Sequence, residues 1–174
     1  MREKAFKNLL FSAIFIMAIA TIAGCDKDNS ETGDGEKTST DYVDLGLPSG
    51  TKWKTVNETN PNDTNNFYTY DEAMAAFGDK LPTKEQFEEL MDSCQWTWTN
   101  NGYTIVGSNG KSIFLPAFGA RTCDGIALTG SSGLYWSSTP GDSKCALYLY
   151  FYSGRVLGMY NDYRCWGRSV RLVK

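Results

Sequence analysis

Residues 145–152 read Cys-Ala-Leu-Tyr-Leu-Tyr-Phe-Tyr, and their alternation decides the fold class. A period of two is the signature of a strand, with Leu147, Leu149 and Phe151 on one side and Tyr148, Tyr150 and Tyr152 on the other. Same-face residues lie about 6.8 Å apart along a strand, so the three phenols form a strip with hydroxyls at its edge. Tyrosine supplies contact area at low entropic cost, and such a strip suits a sugar ring or a protein partner. The competing role is core packing, because small β domains bury strands on both faces. Arg155, Tyr160, Asn161, Asp162, Tyr163, Arg164 and Trp166 add polar and aromatic groups next to the strip.

The chain on either side of this strand is also β-rich. Leu134 to Ser137, Arg155 to Tyr160 and Ser169 to Val173 read as strands. Tyr103 to Val106 and Ser112 to Leu115 flank Ser108-Asn109-Gly110 as a hairpin, and Trp96 and Trp98 alternate with polar residues before an Asn100-Asn101-Gly102 turn. Residues 122–133 and 138–144 are Gly/Ser/Thr loops. Val43, Leu45 and Leu47 alternate ahead of a Pro48-Ser49-Gly50 turn, and Thr51 to Val56 continues the strand. Two helices interrupt the pattern. Tyr70 to Phe77 carries Asp71 and Glu72 in its first turn and stops at Gly78. The second opens at Pro82-Thr83, with Thr83 as N-cap, Gln86 completing a capping box, and Phe87, Leu90 and Met91 as its core stripe. Short strands plus two short helices make an α+β domain over residues 41–174.

The first 24 residues belong to targeting. Arg2, Lys4 and Lys7 precede an apolar run from Leu9 to Ala23 that is short for a membrane span, and Ile22-Ala-Gly-Cys25 follows. The ending is similar to a bacterial lipobox, which implies cleavage before Cys25 and lipid attachment to its thiol. Two or more acyl chains hold a protein on a bilayer. Residues 25–40 contain no large apolar side chain beyond the anchor and form an acidic tether. The expected location is the outer membrane, with the domain at the cell surface.

Composition narrows the chemistry. The 174 residues include no histidine, which removes Ser-His-Asp and Cys-His catalysis and every His-containing zinc site. A net charge of -3 argues against a nucleic-acid partner. Cys94, Cys123, Cys145 and Cys165 lack any Cys-x2-Cys pair and read as disulfide partners in an oxidising envelope, with Cys145–Cys165 preferred. Asp124, Asp142 and Asp162 are loop acids with no spacing that specifies a catalytic pair, so no enzyme, metal or cofactor is expected.

Several segments occur in an order that resembles a family. They are Asp44-Leu-Gly-Leu-Pro-Ser-Gly50 with Trp53, Leu81-Pro-Thr-Lys84, Cys94-Gln-Trp-Thr-Trp98, Ile113-Phe-Leu-Pro-Ala117 with Gly119 and Arg121, Tyr135-Trp-Ser-Ser138, and Gly167-Arg-Ser-Val-Arg171. Together they are similar to the Fibrobacter succinogenes major paralogous domain, common in Bacteroidetes surface lipoproteins. The resemblance implies a C-type-lectin-like fold with its terminal strands adjacent. It also implies kinship with the variable proteins of diversity-generating retroelements, which bind ligand through their C-terminal segment. The chain departs from the family in its short 57–69 insertion, in Lys80 before Leu-Pro-Thr, and in Cys123, Cys145 and Cys165. The lectin calcium triplet Glu-Pro-Asn is missing, and Asn161-Asp162 follows a tyrosine. The expected function is a lipid-anchored module binding a glycan or a protein. The alternatives are a structural subunit of a fimbrial or envelope assembly and an enzyme using the loop carboxylates.

Overall fold

A computed structural model describes residues 41–174. The leader 1–24, Cys25 and the tether 25–40 lie outside the described residues. The domain is α+β, with two short helices and several small antiparallel sheets. Among the described residues no helix is long and apolar enough to cross a membrane.

Helix α1 (Tyr70–Phe77) is capped by Thr69, whose hydroxyl accepts from the Glu72 amide at 3.3 Å while the Glu72 carboxylate accepts from the Thr69 amide at 2.8 Å. Helix α2 (Lys84–Ser93) repeats the device with Thr83 and Gln86, at 3.2 and 2.9 Å. Such caps are worth about 1 kcal/mol each. The second box is the one the sequence predicts.

Strands β1 (Tyr42–Asp44) and β2 (Lys52–Lys54) form a short hairpin across the expected turn. Strands β3 (Gln95–Trp98), β4 (Gly102–Val106) and β5 (Ser112–Pro116) form a meander. Asn100 and Asn101 make its first turn at φ of 49° and 61°, a region asparagine tolerates. Strands β6 (Ala120–Thr122) and β7 (Gly125–Ala127) pair, with β7 inside the stretch 122–133 read as a loop. Strands β8 (Ser132–Pro140), β9 (Cys145–Tyr152) and β10 (Arg155–Tyr163) form the largest sheet, with β9 in the middle.

The segment read as a last strand joins no named sheet. It threads between elements by single bridges, Arg168 to Tyr68, Gly167 to Arg121, Ser169 to Tyr135 and Val173 to Trp53. Lys52 and Lys174 exchange backbone hydrogen bonds at 2.9 and 3.0 Å, so the two ends of the domain are adjacent.

The β8–β9–β10 sheet is buried on both faces of its central strand. Leu149 and Phe151 point into one apolar cluster with Phe87, Leu90, Ile105, Leu115 and Tyr135. Ala146 and Tyr148 point into a second, with Tyr70, Ala73, Leu81, Trp136, Val170 and Leu172. Fully burying one such large side chain contributes roughly 1.5–3 kcal/mol. The Phe151 ring lies over Gly133, where a Cβ would fall 2.0 Å from the ring.

Candidate functional site

The site is the outer part of the face carrying the tyrosines. In the register of the sheet, Tyr148 sits between Trp136 and Tyr160, Tyr150 between Leu134 and Gly158, and Tyr152 between Ser132 and Arg155. The ring centroids form a chain: Tyr148 to Tyr150 at 6.4 Å, Tyr150 to Tyr152 at 6.4 Å, Tyr148 to Tyr160 at 6.2 Å, and Tyr150 to Tyr160 at 5.7 Å, edge to face. A bulge between Val156 and Gly158 breaks the β9–β10 ladder opposite Tyr150.

Exposure grades along the strip. Tyr148 is 7% exposed, Tyr150 is half-buried, and Tyr152 and Tyr160 are 38% and 44% exposed. The expectation of three equivalent contact residues is therefore corrected at Tyr148. Trp136 covers its edge, and the Arg168 guanidinium lies 3.6 Å from its ring centroid. It supports the face and does not present itself.

Arg168 is the residue that sequence reasoning missed. It is fully buried, stacked on Tyr148, 4.7 Å from the Trp136 ring and 5.8 Å from Trp166. Its Nη2 donates to the Asp162 carboxylate at 2.6 Å, while Nε and Nη1 have no hydrogen-bond partner among the described residues. Burial holds the Arg168 pKa below its usual value, offset by Tyr148 and Asp162. Burial also pushes the Tyr148 phenol up, against the lowering influence of Arg168. The guanidinium is held by one carboxylate and the faces of aromatic rings. A charged residue in an otherwise apolar alternation, Arg168-Ser-Val170, was the available signal.

The remaining predicted residues scatter. Arg155 is exposed at the hairpin end opposite Tyr152. Asn161 falls on the opposite face, in register with Leu147, and its Oδ1 fills the space a Cβ of Gly141 would need. Tyr163, 53% exposed, and Trp166 lie 6.0 Å apart beyond the end of the strip. Arg164 stacks 4.7 Å over Tyr70 and reaches Asp71 at 3.5 Å. Tyr150, Tyr152 and Tyr160, with Arg155 at one end, make the contiguous surface.

The expected Cys145–Cys165 bridge is not formed, and all four cysteines of the domain are free. Cys145 is in register with Tyr163, so Cys165 lies two residues past it. Cys94 is half-buried at the end of α2, and desolvation raises its thiol pKa, with Glu89 adding to the rise.

The loop acids do not converge. Asp142 accepts from the Lys144 and Cys145 amides, Asp162 pairs with Arg168, and Asp124 sits in the β6–β7 turn. Among the described residues no group of three or more Cys, Asp or Glu side chains could hold a metal ion.

A second exposed apolar group lies elsewhere. Val56 and Phe118, with Phe114 and Pro116, line a cavity of about 290 Å3 above Asn57 and Arg171. Ile126 joins Phe118 along an adjoining cavity of about 200 Å3. This patch had no strand-like signature in the sequence, because its members come from separate loops and edges. Comparison of the chain with family models, curated proteins and solved structures returned no match.

Proposed function

We propose that the protein is a lipid-anchored, surface-displayed binding module of C-type-lectin-like fold. It takes a glycan or protein ligand on the Tyr150–Tyr152–Tyr160 face. The observation that carries this reading is the graded burial of the strip. A buried Tyr148 braced by Arg168 and Trp136 anchors the strip, while Tyr150, Tyr152 and Tyr160 pack beside it with Tyr152 and Tyr160 exposed. Preorganised aromatic rings lose little entropy on contact. Arg155 and the phenol hydroxyls supply the polar rim.

The test is a glycan array and a pull-down with the Tyr152→Ser/Tyr160→Ser variant. Binding should fall at least tenfold, with the thermal midpoint within a few degrees of the parent, since exposed substitutions usually cost about 0.5 kcal/mol or less. Retained binding removes the strip from the site. A structural-subunit role is favoured by one observation, the open apolar patch of Val56, Phe118 and Ile126. In the same pull-down, loss of a partner on Phe118→Glu but not on the tyrosine changes would move the function there.

A further inference from the structure

We propose that the groove walled by Val56, Phe114, Pro116 and Phe118 binds a small apolar anion, a straight-chain carboxylate of about ten non-hydrogen atoms. The groove shares no residue with the tyrosine face, so it stands or falls apart from the reading above. Its walls come from the loop after β2, from β5 and from the residues that follow β5. Val56 and Phe118 are 60% and 48% exposed. Exposed apolar groups that meet in a concavity are better covered by an apolar ligand than by water.

The floor has the opposite chemistry. Ser169 and Arg171 stand two apart in the terminal segment, and both line the cavity. Arg171 is 1% exposed, and its hydrogen-bond acceptors are all neutral: Asn57 Oδ1 and the carbonyls of Lys54 and Phe114. Among the described residues no carboxylate pairs with it. Glu58 also lines the cavity, but Lys54 holds its carboxylate at 2.5 Å. Lys54, Glu58 and Arg171 together therefore leave one positive charge over. Burial holds the Arg171 pKa below its usual value, opposed by Tyr135 and Glu58. An anion entering the cavity meets a cation that the fold has left without a counter-charge, in a setting where water screens little. The Ser169 hydroxyl, on a residue 3% exposed, makes no hydrogen bond to the described residues and is a second donor at the floor.

Size and shape narrow the ligand. The cavity is about 290 Å3. At roughly 30 Å3 for each non-hydrogen atom, the share of a water molecule in the liquid, that is room for about ten atoms. The adjoining cavity of about 200 Å3 shares Phe118 and Asn66 with it and reaches Ile126. A head group at the floor thus has an apolar path outward along Phe118, which suits a chain better than a compact ring. A contact face for another protein needs apolar area but no buried cation beneath it, and the floor charge therefore favours an amphiphilic acid over a partner surface.

The test uses the full chain reconstituted in phosphatidylcholine nanodiscs and radiolabelled octanoate in equilibrium dialysis. Empty nanodiscs measured alongside subtract partition into the bilayer. Octanoate should bind saturably at one site per chain. Octanol and octylamine keep the tail and change the head, and they should bind at least about tenfold more weakly. Phe118→Ser, a change at an exposed position, should weaken octanoate about tenfold with the thermal midpoint held. Ser169→Ala should weaken octanoate about threefold and leave octanol unchanged. Tyr152→Ser/Tyr160→Ser should leave octanoate binding as it is. Absence of saturable octanoate binding overturns the proposal. So does equal binding of octanol and octanoate, which would make the groove an apolar contact face indifferent to its floor. Loss of octanoate on the tyrosine changes with Phe118→Ser silent also overturns it, by moving the acid to the other face.

Discussion

Replacing Asp162 by Asn tests whether the aromatic face is held from below by one buried ion pair. Arg168 is wholly inaccessible, and Asp162, with its side chain 20% exposed, provides its only charged hydrogen-bond partner among the described residues, at 2.6 Å. Removing one partner of a buried pair costs roughly 3–5 kcal/mol when both are dry. The partial exposure of Asp162 and the ring contacts of Arg168 reduce this to about 2 kcal/mol. At about 2.1 cal/mol/K of unfolding entropy per residue, a domain of this length loses about 7 °C of thermal midpoint. Arg168→Met removes the charge and keeps an apolar stem of similar length between Tyr148 and Trp136. The partner left behind, Asp162, is 20% exposed and can be hydrated, unlike a buried guanidinium left alone, so the variant should lose only about 1 kcal/mol. In the Arg168→Met background, Asp162→Asn should cost almost nothing, giving a coupling of about 2 kcal/mol. Urea unfolding followed by tryptophan fluorescence reads all four corners of the cycle. If the two changes add independently, the pair does not brace the strip and the account of Tyr148 as a support fails.

Two further predictions concern the core. Burial pushes the Tyr135 phenol up to about 12, while Arg171 and Asn57 act against the shift, and its hydroxyl donates to the Pro116 carbonyl at 2.7 Å. The unfolded phenol titrates near 10, so the neutral form is favoured by folding. Its contribution is complete below about pH 10 and is lost as pH rises towards 12, a span worth a few kcal/mol by linkage. Tyr135→Phe should therefore show a shallower fall in urea midpoint between pH 10 and 12 than the parent, and parallel curves would show that this phenol does not control alkaline unfolding. Gly133→Ala should destabilise by roughly 1–3 kcal/mol, because its Cβ would lie 2.0 Å from the buried Phe151 ring. Phe151→Leu in the same chain should recover part of the loss, and full additivity of the two changes would refute the clash.

Much of the architecture was legible where one physical signal dominated. The Thr83–Gln86 box and the Phe87/Leu90 stripe placed α2, and the alternation of 145–152 placed β9, because caps and period-two burial act within a few residues. Strands β6 and β7 were missed. Gly125-Ile-Ala127 is three exposed residues whose pairing comes from the register with 120–122 and not from burial. The alternation also gave the sides of β9 correctly but not which side was buried. Tyr148 and Leu149 are both enclosed, because β9 is the middle strand and a different layer covers each face. Asn161 was grouped with the tyrosines by proximity in sequence, yet period two sends it to the other face.

The terminal segment explains why a buried strand and an open aromatic face can coexist on one sheet. From Arg168 to Val173 the side chains alternate between the two clusters. Val170 and Leu172 enter the second cluster, with Arg168 beside its Trp136 and Tyr148, while Val173 enters the first. Arg171, on the alternate register, donates to Asn57 Oδ1 at 2.9 and 2.6 Å and to the carbonyls of Lys54 and Phe114, each at 2.8 Å. One arginine thus closes the loops around the first cluster through conventional acceptors. The other has a single carboxylate and otherwise only ring faces, a poorer set for hydrogen bonding but one that needs tyrosines packed against it. A segment docked this way fills the space above Trp136 and Tyr148 and stops there. Among the described residues that layer does not continue over Tyr152 and Tyr160, so these two rings remain exposed beside a half-buried Tyr150, on a base they do not have to build themselves.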